Sequence, residues 1–326
     1  MKKLFLIIKR VLEDPQKVYK FIKKIISIYK RSSLCATLGY LSERVTGYNI
    51  YSELLKKTHG ETLIKLKLKD IDNLYMYVDL SDEGISKDLF LFGKREENMT
   101  KIFKLYLKPG QNIIDIGSNI GYYVLIEASI VKPNGRIYAL EPDPHNVKIL
   151  RRNIEVNQYD NIVYIENAAV SNKTGVAQLH LANRSNLHTL TRVPEMDKYV
   201  KFKGSIEVPT FSLDDFLKFK NIDPRSIDVI RMDIEGHEVY ALEGMRKTLK
   251  RAGPLILFIE IHPKLIKQDS NYTYESFLEA LKNWGFKLKE CFLSVTSRID
   301  KRISVRNIED LLHFNEALEV ILVREE

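Results

Sequence analysis

The segment Ile113-Ile114-Asp115-Ile116-Gly117-Ser118-Asn119-Ile120-Gly121 constrains this chain more than any other. A short apolar run ends in an acid, a G-x-x-x-G loop follows, and Ile120–Val131 is an apolar stretch of helical length. Strand, glycine turn and helix in that order make the first unit of a parallel sheet with crossover helices. The glycines admit dihedrals closed to other residues and let a ligand approach the main chain. The helix N-terminus behind them favours an anion such as a carboxylate.

The loop also discriminates between ligands. A nicotinamide dinucleotide site reads G-x-G-x-x-G. Here Asp115 stands where the first glycine would be, and the later spacing differs. An acid there repels a pyrophosphate and suits an ammonium group. S-adenosylmethionine carries an α-ammonium, a carboxylate and a sulfonium, and no phosphate. Asp115, Gly117, Ser118, Asn119 and Gly121 are therefore read as cofactor-binding, with a nicotinamide-dependent oxidoreductase as the alternative.

Downstream the alternation continues. Strands are predicted at Asn112–Ile116, Arg136–Glu141, Asn161–Glu166, Ile227–Asp233, Pro254–Ile261, Phe286–Phe292 and Leu318–Val323. Helices are predicted at Pro144–Asn157, Glu238–Lys250 and Tyr274–Trp284. This is an α/β chain with a doubly wound, mostly parallel sheet. A polar insertion, Ser171–Pro209, interrupts it, with Gln178–Leu181 expected to pair with Val170 or Ile206–Val208. Loops of this length often act as lids or binding loops.

Ligands of such sheets bind beyond the carboxyl ends of the strands, so strand-end residues carry the chemistry. Glu141, in Leu140-Glu141-Pro142-Asp143-Pro144, lies twenty residues after Gly121. Alone it also admits the reading of a surface strand-end residue. With Asp115 and the glycines it reads as an acceptor for two ribose hydroxyls, flanked by Pro142. Glu166 or Asn167 ends the next strand, where adenine is expected. The fourth strand exits into Asp233-Ile234-Glu235-Gly236-His237-Glu238, a candidate reaction centre, although a helix N-terminus by itself favours acids. Glu260 and His262 alternate to one face of the fifth strand and are expected to join Asp233 and His237 in one pocket. The ordered candidates for a general base are His237, Asp233, His262 and Glu235, with Asp233 also able to bind cofactor or orient a histidine. No residues show metal-ligand spacing, and the chemistry requires no metal.

Charge decides what partners to expect. The net charge is +8, and residues 1–31 hold ten Lys and Arg against two acids; the rest carries 41 of each sign. The body is neutral, which argues against nucleic acid. Residues 1–31 place Leu4, Ile7, Ile8, Val11 and Leu12, then Val18, Phe21, Ile22, Ile25 and Ile26, at helical spacing around Pro15. Two readings fit: a helical cap or partner-binding arm, and an in-plane helix on an anionic membrane. Thr62–Lys69 and Leu74–Leu80 alternate like a hairpin, so 1–84 is an extension and 85–326 the main domain. Cys35 and Cys291 are far apart and suggest a reducing compartment. No apolar run reaches the ~18 residues of a membrane span, and Leu4–Ile8 is too short for a signal sequence. The expected location is cytoplasmic, with peripheral contact at the inner membrane surface under the second reading.

Several segments together resemble the FkbM family of S-adenosylmethionine-dependent methyltransferases. They are Asp115 to Tyr123, Glu141 to Asn146, Asn153 to Asn157, Asp233 to Glu238 and Ile259 to His262, with Gly93 to Glu96 before Pro109-Gly110 similar to the family's lead-in. The resemblance covers about residues 85–265, and its D-x-E-G-x-E segment is not general to methyltransferases. It implies the Rossmann-like class I sheet of seven strands, the last antiparallel, with S-adenosylmethionine as cofactor. It also implies O-methylation of hydroxyls on sugars, glycolipids or polyketide-like products. Residues 1–84 have no counterpart, and the 171–209 insertion is where such enzymes vary, so the acceptor is left open. With the basic arm, a small-molecule or lipid-linked glycan acceptor is expected. A catalytically silent binding module of the same fold is the non-enzyme alternative.

Overall fold

The computed structural model describes residues 60–325 apart from 72, 270, 297 and 298. The helices expected in 1–31, their membrane contact and Cys35 lie outside the described residues. No helix among the described residues is long and apolar enough to cross a membrane. The chain divides into two compact units, 1–95 and 96–326.

In the first unit, β1 (Glu61–Lys65) and β2 (Tyr75–Asp79) form the expected antiparallel hairpin, Glu61 opposite Asp79. Helix α1 (Ile85–Phe92) follows and stops at Gly93, whose left-handed backbone (φ 68°) returns its N–H to Leu89.

The second unit opens with α2 (Glu97–Tyr106), then runs β3 (Asn112–Ile116), α3 (Tyr122–Val131), β4 (Arg136–Leu140), α4 (Pro144–Val156) and β5 (Val163–Glu166). Three strands lie in and beside the insertion: β6 (Ala169–Val170) just before it, β7 (Gly175–Ala182) within it, and β8 (Phe202–Phe211) running past its end. They form a small separate sheet in the order β6-β8-β7, and Gln178 pairs with Glu207, the second of the two expected pairings. After α5 (Leu213–Phe219) come β9 (Val229–Met232), α6 (Glu238–Glu243), α7 (Arg246–Arg251), β10 (Leu255–Ile261), α8 (Pro263–Ile266), α9 (Tyr274–Asn283), β11 (Lys287–Thr296), β12 (Ile299–Arg302) and β13 (Leu318–Arg324).

The main sheet has the order β12-β11-β13-β10-β9-β3-β4-β5. From β5 to β10 neighbours are parallel, and β13 enters antiparallel between β10 and β11. Seven of these strands reproduce the expected class I α/β sheet, and β12 adds an eighth at the edge. The single helix expected over Glu238–Lys250 is two. They part at Gly244-Met245, where a Cβ on Gly244 would stand 2.0 Å from the Ser171 carbonyl oxygen. That close backbone approach requires glycine and turns the helix.

Strand alternation separates the two faces. On one, Ile114, Ile116, Ile230, Met232, Leu257 and Ile259 join Phe216, Leu249, Phe277 and Leu281 in one apolar core. On the other, Phe258 stacks on Phe103 at 4.6 Å, and its row neighbours Arg231 and Asp115 set charge in the middle of the sheet.

Candidate active site

The glycine loop after β3 is shaped by contacts that only glycine permits. Gly117 has φ 82°, and a Cβ there would lie 2.1 Å from the Asp233 carbonyl oxygen. Gly121 has φ 90°, and a Cβ would lie 2.4 Å from Leu150 Cδ1 on α4. Between them Asn119 takes a left-handed backbone (φ 50°) and donates its N–H to Glu141 Oε2 at 2.8 Å. Glu141 Oε1 accepts from the Asp143 N–H at 3.0 Å and from Asn146 Nδ2 at 3.2 Å. Burial pushes the Glu141 carboxyl up to about 7, against these hydrogen bonds. Asn167 Nδ2 donates to the carbonyls of Glu141 and Pro142, so the ends of β4 and β5 are tied together. Glu166, its neighbour, is paired with Lys220 at 2.6 Å.

Asp115, read as a cofactor-binding acid, is wholly buried; Oδ1 accepts from Ser118 Oγ at 2.6 Å, and Oδ2 is 3.4 Å from Arg231. The carboxylate braces the loop from beneath, because β3 directs it to the face where Arg231 provides a countercharge. Arg231 also reaches Asp233 at 3.0 Å and lies 4.2 Å over the Tyr123 ring. Burial works against its charge, but Asp115 and Asp233 outweigh that and hold the guanidinium protonated. Glu127 on α3 is wholly buried; burial first, then the Asp115 charge, raises its carboxyl well above the usual range. Tyr123 completes the group with a hydrogen bond to Glu96. Sequence reasoning gave no individual role to Arg231, Glu127 or Glu96, although Glu96 stood in the lead-in similar to the family's. For the first two a signal existed: each interrupts an otherwise apolar run destined for the interior.

The second cluster lies beyond β9 and β10. His262 Nδ1 is 3.0 Å from Glu238 Oε1, and Nε2 is 3.3 Å from Glu235 Oε2 and 3.9 Å from Glu260 Oε1. Burial disfavours the imidazolium, yet Glu235 and Glu238 overcome it and raise the His262 pKa well above its ordinary value. Glu260 is itself raised, by burial and then by Asp233. The turn that delivers Glu235 has two left-handed residues in succession, Glu235 at φ 51° and Gly236 at φ 93°.

His237 does not join that cluster as expected. Its Nδ1 meets Thr191 Oγ1 at 2.7 Å and its Nε2 meets Ser171 Oγ at 3.0 Å, while the ring stacks on Tyr240 at 4.7 Å. Burial pushes the imidazole down to about 4. Both nitrogens face hydroxyls of the insertion and its border, which composition alone did not reveal.

The insertion bears on every part of this region. Ser185 Oγ approaches Asn119 Oδ1 at 3.5 Å, His188 Nε2 pairs with Asp143 at 3.2 Å, and Thr189 Oγ1 donates to the Glu235 carbonyl at 2.8 Å. His188 Nδ1 accepts from the Ala182 N–H, so Nε2 carries the proton toward Asp143. Burial opposes a charged Asp143, but the bonds from His188 and the His145 amide hold its carboxyl below the usual range.

The family described as the Methyltransferase FkbM domain matches residues 115–288, a span that contains both clusters apart from Glu96. The chain belongs to the FkbM methyltransferase family. Among curated relatives, the 2-O-methyltransferase NoeI of Sinorhizobium fredii is 29% identical over 161 residues, 46% of this chain and 64% of that protein. A protein-L-isoaspartate O-methyltransferase of Methanothrix thermoacetophila is 34% identical over 61 residues, 19% of this chain and 29% of that protein. The chain thus spans less than two thirds of the length of these relatives. Methyltransferase FkbM from Methylobacillus flagellatus is a similar solved structure, with 16% identity, 72% of this chain and 52% of that chain covered, and a TM-score of 0.37. As an FkbM methyltransferase the protein uses S-adenosylmethionine, and the nicotinamide alternative falls away.

Proposed function

We propose that this methyltransferase acts on a hydroxyl of a sugar, glycolipid or related small molecule. The observation that carries the reading is His262, held between carboxylates beyond the β10 carboxyl end, with Nε2 facing Glu235. An imidazole so placed can take the proton that a hydroxyl acceptor must lose. The order of candidates therefore becomes His262 with Glu235, then Asp233, then His237, whose nitrogens are engaged elsewhere. The relative from Sinorhizobium fredii is named a 2-O-methyltransferase, which supports an oxygen acceptor.

The residues present fit the methyl donor. A buried acid at the end of β4 can accept a pair of hydroxyls, and Gly117 and Gly121 leave both ends of the loop without side chains. Asp115 and Ser118 hold that loop from below, with Asn119 beside Glu141; Pro142 and Asn167 shape the neighbouring wall where an adenine fits, and Glu166 adjoins it. The carboxylates of Asp233 and Glu235 give the region a negative character suited to a cation. When bound, the donor supplies an activated methyl group, so the protein's task is alignment and proton removal.

The test combines calorimetry with S-adenosylmethionine and transfer of a tritiated methyl group to a panel of sugars, glycolipids and lipid-linked glycans. Micromolar-range binding with labelling of an O-linked position supports the reading. Binding without transfer to any acceptor indicates the silent module instead. The ten basic residues of 1–31 favour a membrane-held acceptor, checked by flotation with anionic vesicles before and after deleting that segment.

A further inference from the structure

Glu238 is not an ordinary helix-start acid. Such acids usually sit at the surface, where the helix dipole favours them. Glu238 has no exposed surface; Oε1 accepts from the Gly236 N–H at 3.0 Å and faces His262 Nδ1 at the same distance, and Oε2 has no partner among the described residues. Burying a carboxylate without full satisfaction is costly, so a purely structural role is poorly served by an acid here.

We propose that Glu238 is a positioning residue that fixes His262 with its proton on Nδ1, leaving Nε2 as the proton-accepting nitrogen turned toward Glu235. This rests on the reading of His262 as the base. A carboxylate behind an imidazole sets both tautomer and orientation and stabilises the imidazolium once it forms. The geometry suits it: Glu238 stands on the Nδ1 side, Glu235 and Glu260 on the Nε2 side. The Glu235–Gly236 turn makes this bracket possible, because two left-handed residues bring Glu235 and Glu238 to opposite edges of one ring. A Cβ at Gly236 would stand 2.9 Å from Leu265, so the turn packs directly against α8, which begins one residue after His262. The proton balance is simple. Nε2 would gain the hydroxyl proton as the acceptor oxygen displaces the methyl group from the donor's sulfonium, whose sulfur keeps the pair of the broken C–S bond as a neutral thioether, and Nδ1 keeps its proton toward Glu238.

Two other acids face this ring, Glu235 from the loop after β9 and Glu260 from β10; Asp233 and Glu319 act on Glu260, and Arg231 is paired with Asp233. The experiment must separate Glu238 from these. Nitrogen-15 shifts of the imidazoles in the full chain report tautomer and titration without turnover; His262, one of seven histidines, is assigned by its loss in His262→Gln. The expected result is an Nδ1–H tautomer for neutral His262 in the natural protein. In Glu238→Gln, which retains an acceptor for Nδ1–H, the tautomer persists while the titration midpoint falls by about one pH unit or more. An Nε2–H tautomer in the natural protein, or an unmoved midpoint in Glu238→Gln, overturns the proposal; the first needs no variant to fold. Undiminished tritium transfer by His262→Gln would instead overturn the base reading and the catalytic meaning of the pair with it.

Discussion

Arg231 on β9 sits directly across from Asp115 on β3, paired in register and 3.4 Å apart at their charged ends, both nearly or wholly buried. The pair links the underside of the cofactor loop to the strand that leads into the acidic cluster. Removing one partner strands the other's charge in the interior, which costs about 3–5 kcal/mol. Arg231→Leu is expected to lower stability by that order in urea unfolding. Asp115→Asn in the same background should recover part of the loss, since a double neutralisation leaves fewer orphaned charges. Asp115→Ala alone should also abolish calorimetric binding of S-adenosylmethionine, because Ser118 and the loop lose their brace.

Glu141 links binding to pH. Its carboxyl titrates at about 7 in the folded protein, raised by burial from an ordinary 4.5. Only the charged form accepts two hydroxyl hydrogen bonds, so affinity for S-adenosylmethionine should fall as pH drops from 8 through 7 to 6. The stability effect runs oppositely: a raised carboxyl favours the fold fully below its ordinary value and loses that contribution as pH rises through 7. Calorimetry across this range checks the first trend, and Glu141→Gln should flatten it while weakening binding throughout.

Much of this was legible in the sequence because strand ends and glycine spacing are local signals. The sheet, its antiparallel last strand and the hairpin β1–β2 followed from periodicity and resemblance. The strand-end acids Asp115, Glu141, Asp233 and Glu260 were found where expected in the chain. Which way a side chain faces is a matter of tertiary partners, and there the reading failed. Asp115 turned inward because Arg231 awaited it in the next strand. His237 turned away from the acids because Thr191 and Ser171, remote in sequence, offered hydroxyls to both nitrogens. The break in Glu238–Lys250 arose from Ser171 pressing on Gly244, a contact no local pattern records.

Segment 183–191 should govern cofactor retention. His188 holds Asp143, two residues from Glu141, and Ser185 reaches Asn119. A hydrogen bond to a charged group contributes about 1.5–3 kcal/mol. His188→Ala is expected to weaken S-adenosylmethionine binding by about tenfold or more, and to make the insertion more sensitive to limited proteolysis, with little change in the unfolding midpoint of the main sheet.

Gly117→Ala tests the loop from above. The new methyl group would fall 2.1 Å from a backbone oxygen at a positive φ, and a backbone atom cannot swing aside as a side-chain end can. Loss of cofactor binding is expected, together with destabilisation of about 1–3 kcal/mol from backbone strain. Gly175→Ala, where nothing lies within 4 Å of the added carbon, is the matched control and should leave binding unchanged.

The two histidines near the reaction centre should separate on a pH–rate profile. Neutral His262 is the form that accepts a proton, and its carboxylate neighbours raise its pKa. Turnover should therefore fall on the acid side with a limb above the ordinary histidine value of about 6.5. Glu235→Gln removes one of those carboxylates and should move the limb to lower pH. By linkage the same pairing stabilises the fold below about 6.5 and fades as pH rises through the raised value. His237, pushed down to about 4 and held by two hydroxyls, cannot produce that limb. His237→Ala should cost about 1–3 kcal/mol of stability through its lost hydrogen bonds and leave the limb where it was. A limb that vanishes in His237→Ala and persists in His262→Gln would reverse the assignment of the base.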